Sequence, residues 1–435
     1  MRLLGIISGL TALLGVVVVR GEVKQLPLPT TCAGVSGMHF PGTVSSGWSV
    51  MKIAGGLKGV RTVTWDPNGN MLVAESSKGI SVHTFGEDGC INSTATLIAN
   101  AQLNHGLAMT PDGKTVYASG ERSVWSWTYD AASRTVADQK TVVTGMDSGI
   151  HFTRTLMVVR DQPDMLLVQV GSNSNLDMQA AQPATGRAII KIFDMSAAPA
   201  SGYDYKTAGE VFAYGVRNEI GFVQDPNGVV WGVENSGDDF KLNNQDIHTD
   251  NPAEKLNNLG DPLTTRDKWY GYPTCFSVWD PSPFPNHLKT GSQFMLSPGN
   301  GIANDADCAS KTIPPRLTFP AHTAPIWNTF DSDASNMYVT LHGSWDRQPP
   351  QGFKVIEIPF TRLDDGSYDP VAAADSREGF RDVFSAPDPA GCTANGLTMS
   401  NCFRLTAAAW DPAGRGLFVG SDNNAEGEIF ILSRK

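Results

Sequence analysis

The sequence predicts an all-β fold, a six-bladed β-propeller with long inserted loops. Three observations carry the prediction: a Pro/Gly turn signal recurs between short apolar runs, its copies run through nearly the whole of the 435 residues, and helical patterning is scarce. Proline presets the φ of a turn's first central residue, aspartate caps the turn amides and glycine supplies positive φ. Asp-Pro-x-Gly between two apolar runs therefore reads as a hairpin.

The units follow in chain order. The first is VTWDPNGNMLVAE, turning at Trp65 to Gly69, and the second is LAMTPDGKTVYAS, turning at Thr110 to Gly113. A degenerate third copy, MVVRDQPDMLLVQVG, lacks the glycine. The fourth is GFVQDPNGVVWGVE, turning at Gln224 to Gly228; the fifth, NTFDSDASNMYVTLHG, is again degenerate; the sixth is AAAWDPAGRGLFVGS, turning at Trp410 to Gly414. From Asp66 to Asp411 the steps average about 69 residues, a spacing that fits antiparallel blades around a central channel. A β-sandwich with coincidental turns is the competing layout. The longest loop-rich stretch, Phe240 to about Pro320, carries Cys275 and Cys308.

With 41% hydrophobic residues the chain can bury a large core. Arg2 ahead of the apolar run Leu3 to Val19, followed by Gly21, reads as a secretory signal peptide over 1–21. Residues 22–435 are then one propeller domain, secreted to the extracellular space. An uncleaved anchor is the alternative, although the run is at the short end of the roughly 20 residues a spanning helix needs. In an oxidising compartment six cysteines imply disulfides, and short loops favour Cys32 with Cys90, Cys275 with Cys308 and Cys392 with Cys402. The sequon Asn92-Ser93-Thr94 fits the same compartment and predicts a glycoprotein. A formal net charge of −11 argues against nucleic acid and anionic membranes as partners. An anionic ligand would need a local cluster of cations.

Strand ends of a propeller meet at one channel mouth, and the polar residues placed there are distinctive. SGIHFTRTL supplies His151 and Arg154, and VGSNSN supplies Asn173. An imidazole with a polar neighbour can take a proton from an alcohol near neutral pH. YGVRNEIGF supplies Arg217 and Asn218, and VENSGDDF supplies Glu234, Asn235, Ser236, Asp238 and Asp239, hard oxygen ligands suited to calcium rather than zinc. YVTLHGSWDR leaves a strand for His342, Ser344, Trp345 and Arg347, and NCFRLTAAAW puts Arg404 at a strand entrance. Arg217, Arg347 and Arg404 form a candidate anion cradle, or each pairs with one of the 44 acidic residues. His105, in LNHGLAM, either lines the pocket or packs beneath it.

GSNSN, GVRNEIGF, ENSGDDF, WYGYP, HTAPIW, HGSWDR and GFKVIEIPF, in that order, resemble the quinoprotein sugar dehydrogenases of the soluble glucose and sorbosone dehydrogenase superfamily. The resemblance is greatest to the secreted fungal pyrroloquinoline quinone (PQQ)-dependent pyranose dehydrogenases, and runs from about Gly56 to the C-terminus. It implies PQQ at the channel mouth with Ca2+ on its oxygens, and oxidation of the C1 hydroxyl of aldoses such as fucose, arabinose, galactose or an osone to lactones. His151 would be the general base. Arg217 and Asn218 would contact the quinone oxygens, and Arg404, His342, Ser344 and Arg347 would bind its carboxylates. Trp345 would pack a planar ring or the sugar. Asn235, Ser236 and Asp239 match the calcium loop; His105, Arg154 and Asn173 are weaker candidates for the substrate pocket. Asn173 or Ser172 stands where bacterial glucose-oxidising members use an aspartate to orient the base, and the His342 loop stands where they use a lysine.

The haem domain and cellulose-binding module of some fungal relatives are not expected here. A monomer passing electrons to an external acceptor, whether a cytochrome, a quinone or a copper polysaccharide monooxygenase, is what the resemblance implies. A calcium-dependent propeller lactonase and a non-catalytic binding propeller are the alternatives.

Overall fold

The computed structural model describes residues 31–284, 287–393 and 400–435. The predicted signal peptide lies outside them. The described chain is a six-bladed β-propeller, and each of the six predicted turns joins the first two strands of a blade. Blade one comprises Val60–Trp65, Met71–Glu75, Gly79–Phe85 and Ile91–Ala99. Blade two is built on Leu103–Met109, Thr115–Gly120, Val124–Asp130 and Thr135–Thr144; blade three on Leu156–Val158, Met165–Val170, Ile189–Asp194 and Glu210–Tyr214. Blade four has Glu219–Gln224, Val230–Glu234, Glu254–Gly260 and Leu317–Phe319, and blade five Pro325–Phe330, Asn336–Leu341, Lys354–Arg362 and Arg381–Ser385. Blade six combines Leu405–Trp410, Leu417–Ser421 and Gly427–Arg434 with Trp48–Leu57 from near the other end of the chain. That pairing closes the ring.

The turns hold because their aspartates are buried and fully used. Asp66 Oδ1 accepts from the amides of Asn68 (2.9 Å) and Asn70 (2.8 Å), while Oδ2 accepts from Asn70 Nδ2 and from the Tyr129 hydroxyl of blade two, both at 2.7 Å. Asp225 does the same for Asn227, Val229 and the Trp231 indole, and Asp411 for Arg415 and Gly416. Gly69, at φ +77°, turns the chain where a side chain would be strained.

Between neighbouring blades lie six apolar wedges, each filled from two blades. Leu72, Val82, Val116 and Trp127 fill the first, and Tyr338, Phe384, Leu405 and Phe430 the one between blades five and six. The stretch predicted as loop-rich from Phe240 to Pro320 contains two strands of blade four, Glu254–Gly260 and, at its end, Leu317–Phe319. The first of these is the less legible. Its sequence, EKLNNLG, lacks apolar alternation because Lys255 and Asn257 are buried against Glu234 rather than against hydrocarbon. The three disulfides are Cys32–Cys90, Cys275–Cys308 and Cys392–Cys402, as the loop lengths favoured. Among the described residues the one α-helix is Asp305–Lys311, and no helix is long and apolar enough to cross a membrane.

Asp66→Ala is expected to lower stability by about 3 kcal/mol, because it strands buried donors in two blades. The measurement is the denaturant midpoint; an unchanged midpoint would mean the turn amides and Tyr129 find other partners.

Candidate active site

At the end of the inner strands away from these turns, all six blades open onto one cavity of about 680 Å3. Strand entrances contribute Arg61, Asn104, Ile220, Ile326 and Arg404, and the segments leaving the second strands contribute Ser76, Asn175, Asn235, His342 and Asp422. Convergence of distant residues follows from the blade repeat alone.

His151 lines the cavity just ahead of the inner strand of blade three. Its Nδ1 lies 3.0 Å from both the carbonyl oxygen and the hydroxyl of Ser172. A carbonyl only accepts, so Nδ1 carries the proton and Nε2 is left basic. Burial, followed by the Arg217 charge, brings the imidazole down to about 3, so the ring is neutral around pH 7. Gly171 makes room for it: a Cβ there would fall 2.7 Å from the His151 Cβ and 2.8 Å from Asn218 Oδ1.

Arg217 is buried and fully engaged. Its guanidinium donates to the Asn175 carbonyl (3.2 Å), Asn175 Oδ1 (2.9 Å), Asp238 Oδ2 (2.8 Å) and the Ser236 carbonyl. Asn218 Nδ2 donates to Asn235 Oδ1 at 3.2 Å, and both residues line the cavity. The acidic loop thus folds back over the arginine that precedes its blade.

That loop meets blade five at a cluster with metal-ligand spacing. One ligand atom each from Asp238, His322 and Asp346 lies within 4.8 Å of the others. His322 Nε2 donates to the His248 carbonyl at 2.6 Å, leaving Nδ1 3.6 Å from Asp238 and 3.9 Å from Asp346. Asp239 also lines the cavity, but its contact is a main-chain N–H donated to Asp346 Oδ2 at 2.9 Å. The Ser236 carbonyl accepts from Arg217.

On the opposite wall Asp422 organises the cations. His342 Nε2 donates to Asp422 Oδ1 at 2.7 Å, Arg61 pairs with Oδ2, and Arg404 donates to the Gly343 carbonyl at 3.1 Å. Burial opposes ionisation of Asp422, but His342 and Arg61 outweigh it and hold the carboxyl at about 2. His342 is pushed down to about 4, first by burial and then by Arg404. Lys58 completes this side of the wall.

The remaining sequence candidates stand elsewhere. Ser344 exchanges hydrogen bonds with the Gln351 backbone, and Arg347 pairs with Asp250 at 2.7 Å; neither lines the cavity. Trp345 does, at 48% exposure, which puts it at the mouth. Arg154 is buried behind His151, donating to the carbonyls of His151, Thr153 and Asp147. The Asn173 backbone braces Ile150 and Asp177. His105 packs beneath the floor, its Nδ1 accepting from Arg61 Nε at 3.2 Å. Lys58, Arg61, His322, Asp346 and Asp422 were missed. Arg61 carried the same signal as Arg404, a cation at a strand entrance, while His322 and Asp346 stood in the HTAPIW and HGSWDR motifs without being singled out.

The chain is similar to known proteins over nearly all of its described length. Residues 42–435 match a family profile described as TrAA12-like. The chain is 38% identical over 411 residues to the pyrroloquinoline quinone-dependent pyranose dehydrogenase of Coprinopsis cinerea, covering 93% of this chain and 56% of that protein. The chain thus spans about half the length of that curated relative. It superposes on the holo form of that enzyme's PQQ domain with a TM-score of 0.89 at 38% identity, covering 93% of this chain and all of the domain. A calcium structure of a Trichoderma reesei carbohydrate-active enzyme of family AA12 gives 0.86 at 33% identity, with coverage of 93% and 100%.

His342 yields a pH prediction. Its folded pKa of about 4 lies below the unfolded value near 6.5, so its contribution is fully present above pH 6.5 and is lost as pH falls towards 4, where the unfolded chain binds the proton first. His342→Gln keeps a donor for Asp422 and is expected to flatten the decline of melting temperature between pH 6.5 and 4. Equal slopes would mean that His342 is charged in the folded protein.

Proposed function

The chain belongs to the TrAA12-like family, and we propose that it is a secreted PQQ- and Ca2+-dependent dehydrogenase that oxidises the C1 hydroxyl of pyranoses to lactones. The observation that carries the reading is the tautomer of His151: Nδ1–H is committed to Ser172, and a basic Nε2 remains on a residue lining a cation-walled cavity. The cavity is of a size usual for cofactor sites, and Lys58, Arg61, Arg217, Arg404 and His342 suit a flat tricarboxylate. Two carboxylates, Asp238 of the Asn235–Asp239 loop and Asp346 facing it, give the hard oxygen donors that calcium takes. When bound, PQQ with Ca2+ supplies the hydride acceptor.

This chain's residues do the rest. His151 Nε2 accepts the proton of the C1 hydroxyl while C1 gives up its hydride, so the sugar loses two electrons and two hydrogens in one step. The Ser172 carbonyl, accepting from Nδ1–H, steadies the imidazolium that forms. Burial, and after it the charge of Arg217 held by Asn175 and Asp238, keeps the resting ring neutral, and that same guanidinium is a fixed positive charge on the cavity wall. Asn218 and Asn235 offer amides to the same wall. Electrons then leave to an external acceptor, for which a cytochrome, a quinone and a copper polysaccharide monooxygenase are the candidates. The disulfides and the exposed Asn92 on the outer strand of blade one accord with secretion.

The test is a calorimetric titration of the calcium-loaded protein with PQQ, followed by dye reduction on adding an aldose such as L-fucose. One-to-one binding with sugar-dependent reduction is expected; no binding would redirect attention to lactone hydrolysis. His151→Gln is expected to cut turnover about 10²–10⁴-fold with PQQ affinity retained. Arg404→Leu is expected to weaken PQQ uptake roughly 10- to 100-fold, as loss of a charge-assisted hydrogen bond should. Unchanged uptake would remove Arg404 from the cofactor site.

A further inference from the structure

Glu254 begins the third strand of blade four, is buried, and takes no part in the chemistry above. Its two oxygens accept from main-chain amides of two different blades. Oε2 accepts from Ser236 at 2.6 Å, and Oε1 accepts from Ala324 at 3.2 Å. Both amides lie just outside the regular ladders: the second strand of blade four ends at Glu234 and the first of blade five begins at Pro325. A buried N–H without a ladder partner needs another acceptor.

The two peptides matter because of their neighbours. Ser236 leads into Asp238, and Ala324 follows His322 by two residues, with Ala324 and His322 both held at positive φ, +51° and +62°. Non-glycine residues adopt that conformation only when their surroundings fix it. On its other side the Ser236 peptide is pinned through its carbonyl by Arg217. Asp238 and His322 therefore face each other across a gap set by one carboxylate.

We propose that Glu254 is the positioning residue of the Asp238–His322–Asp346 cluster, a carboxylate strut that docks the blade-four loop on the entrance of blade five so that the cluster can hold a divalent cation. It does not touch the cation itself. The inference rests on reading the cluster as the calcium site. A carboxylate is required because only it offers an acceptor at both ends; a glutamine would turn an NH2 group toward one of the two amides.

In wild-type full-length protein stripped of divalent cations, amide hydrogen exchange at Ser236 and Ala324 is expected to be slow, and fast exchange at both would overturn the proposal without any variant. In Glu254→Gln, exchange at one of the two amides is expected to speed up, and Ca2+ followed by calorimetry to bind about 10- to 100-fold more weakly. Circular dichroism establishes that the variant is folded. A folded variant with wild-type calcium affinity would overturn the proposal. Absence of Ca2+ uptake by the wild type would overturn the calcium reading instead, and the two failures are distinguished because the Ser236 and Ala324 amides would then remain protected.

Discussion

Closure of the ring is the constraint on which the rest of the molecule depends. Trp48–Leu57 pairs along Gly427–Arg434, so blade six is built from both ends of the described chain. Without that pairing, blade six would present an open edge and the wedge between blades six and one, where Met51 and Ile53 meet Val60, Val63 and Phe418, would lose one wall. The cavity draws residues from every blade, and its geometry is therefore a property of the closed ring rather than of any single motif.

A second consequence is electrostatic. The chain carries a net charge of −11, yet Lys58, Arg61, Arg217 and Arg404 all face one cavity. Lys58 is exposed at the rim, but enclosing the three arginines is costly unless each is held by acceptors, and Asp422, Asp238, Asn175 and the Gly343 carbonyl do this holding. Cations fixed beforehand need not reorganise when charge develops beside them. The neutrality of His151 belongs to the same arrangement, since burial and Arg217 act on it together.

The architecture was legible in the sequence because the turn chemistry is local. Asp66, Asp225 and Asp411 cap their own hairpins within a few residues, and the spacing of those hairpins counts the blades. His151, Arg217, Asn218, Asn235 and Arg404 could be found because strand ends in this layout must converge. Ser344 and Arg347 show the limit: they share a contiguous motif with His342 and Trp345, but a motif does not say which side chains turn inward. His322, Asp346 and Asp422 were out of reach for the opposite reason. Their partners lie 84 residues away for the Asp238–His322 contact and 361 for Arg61–Asp422, and although His322 and Asp346 stand in the HTAPIW and HGSWDR motifs, nothing local says what they face. Glu254 is harder still, because its partners are main-chain amides that no residue pattern records.

Ring closure also fixes the order of events during synthesis. Trp48–Leu57 leaves the ribosome long before its partner strand exists, so it must wait with its hydrogen-bonding edge unsatisfied while five blades form. The Cys32–Cys90 bond ties the segment just ahead of it to blade one, the first blade made. The bond constrains only the chain between residues 32 and 90, so Gly427–Arg434 must still close a loop that spans almost the whole described chain when it emerges. The disulfide thus clamps the segment that leads into blade six onto blade one, on the side of the ring where the last strand must dock.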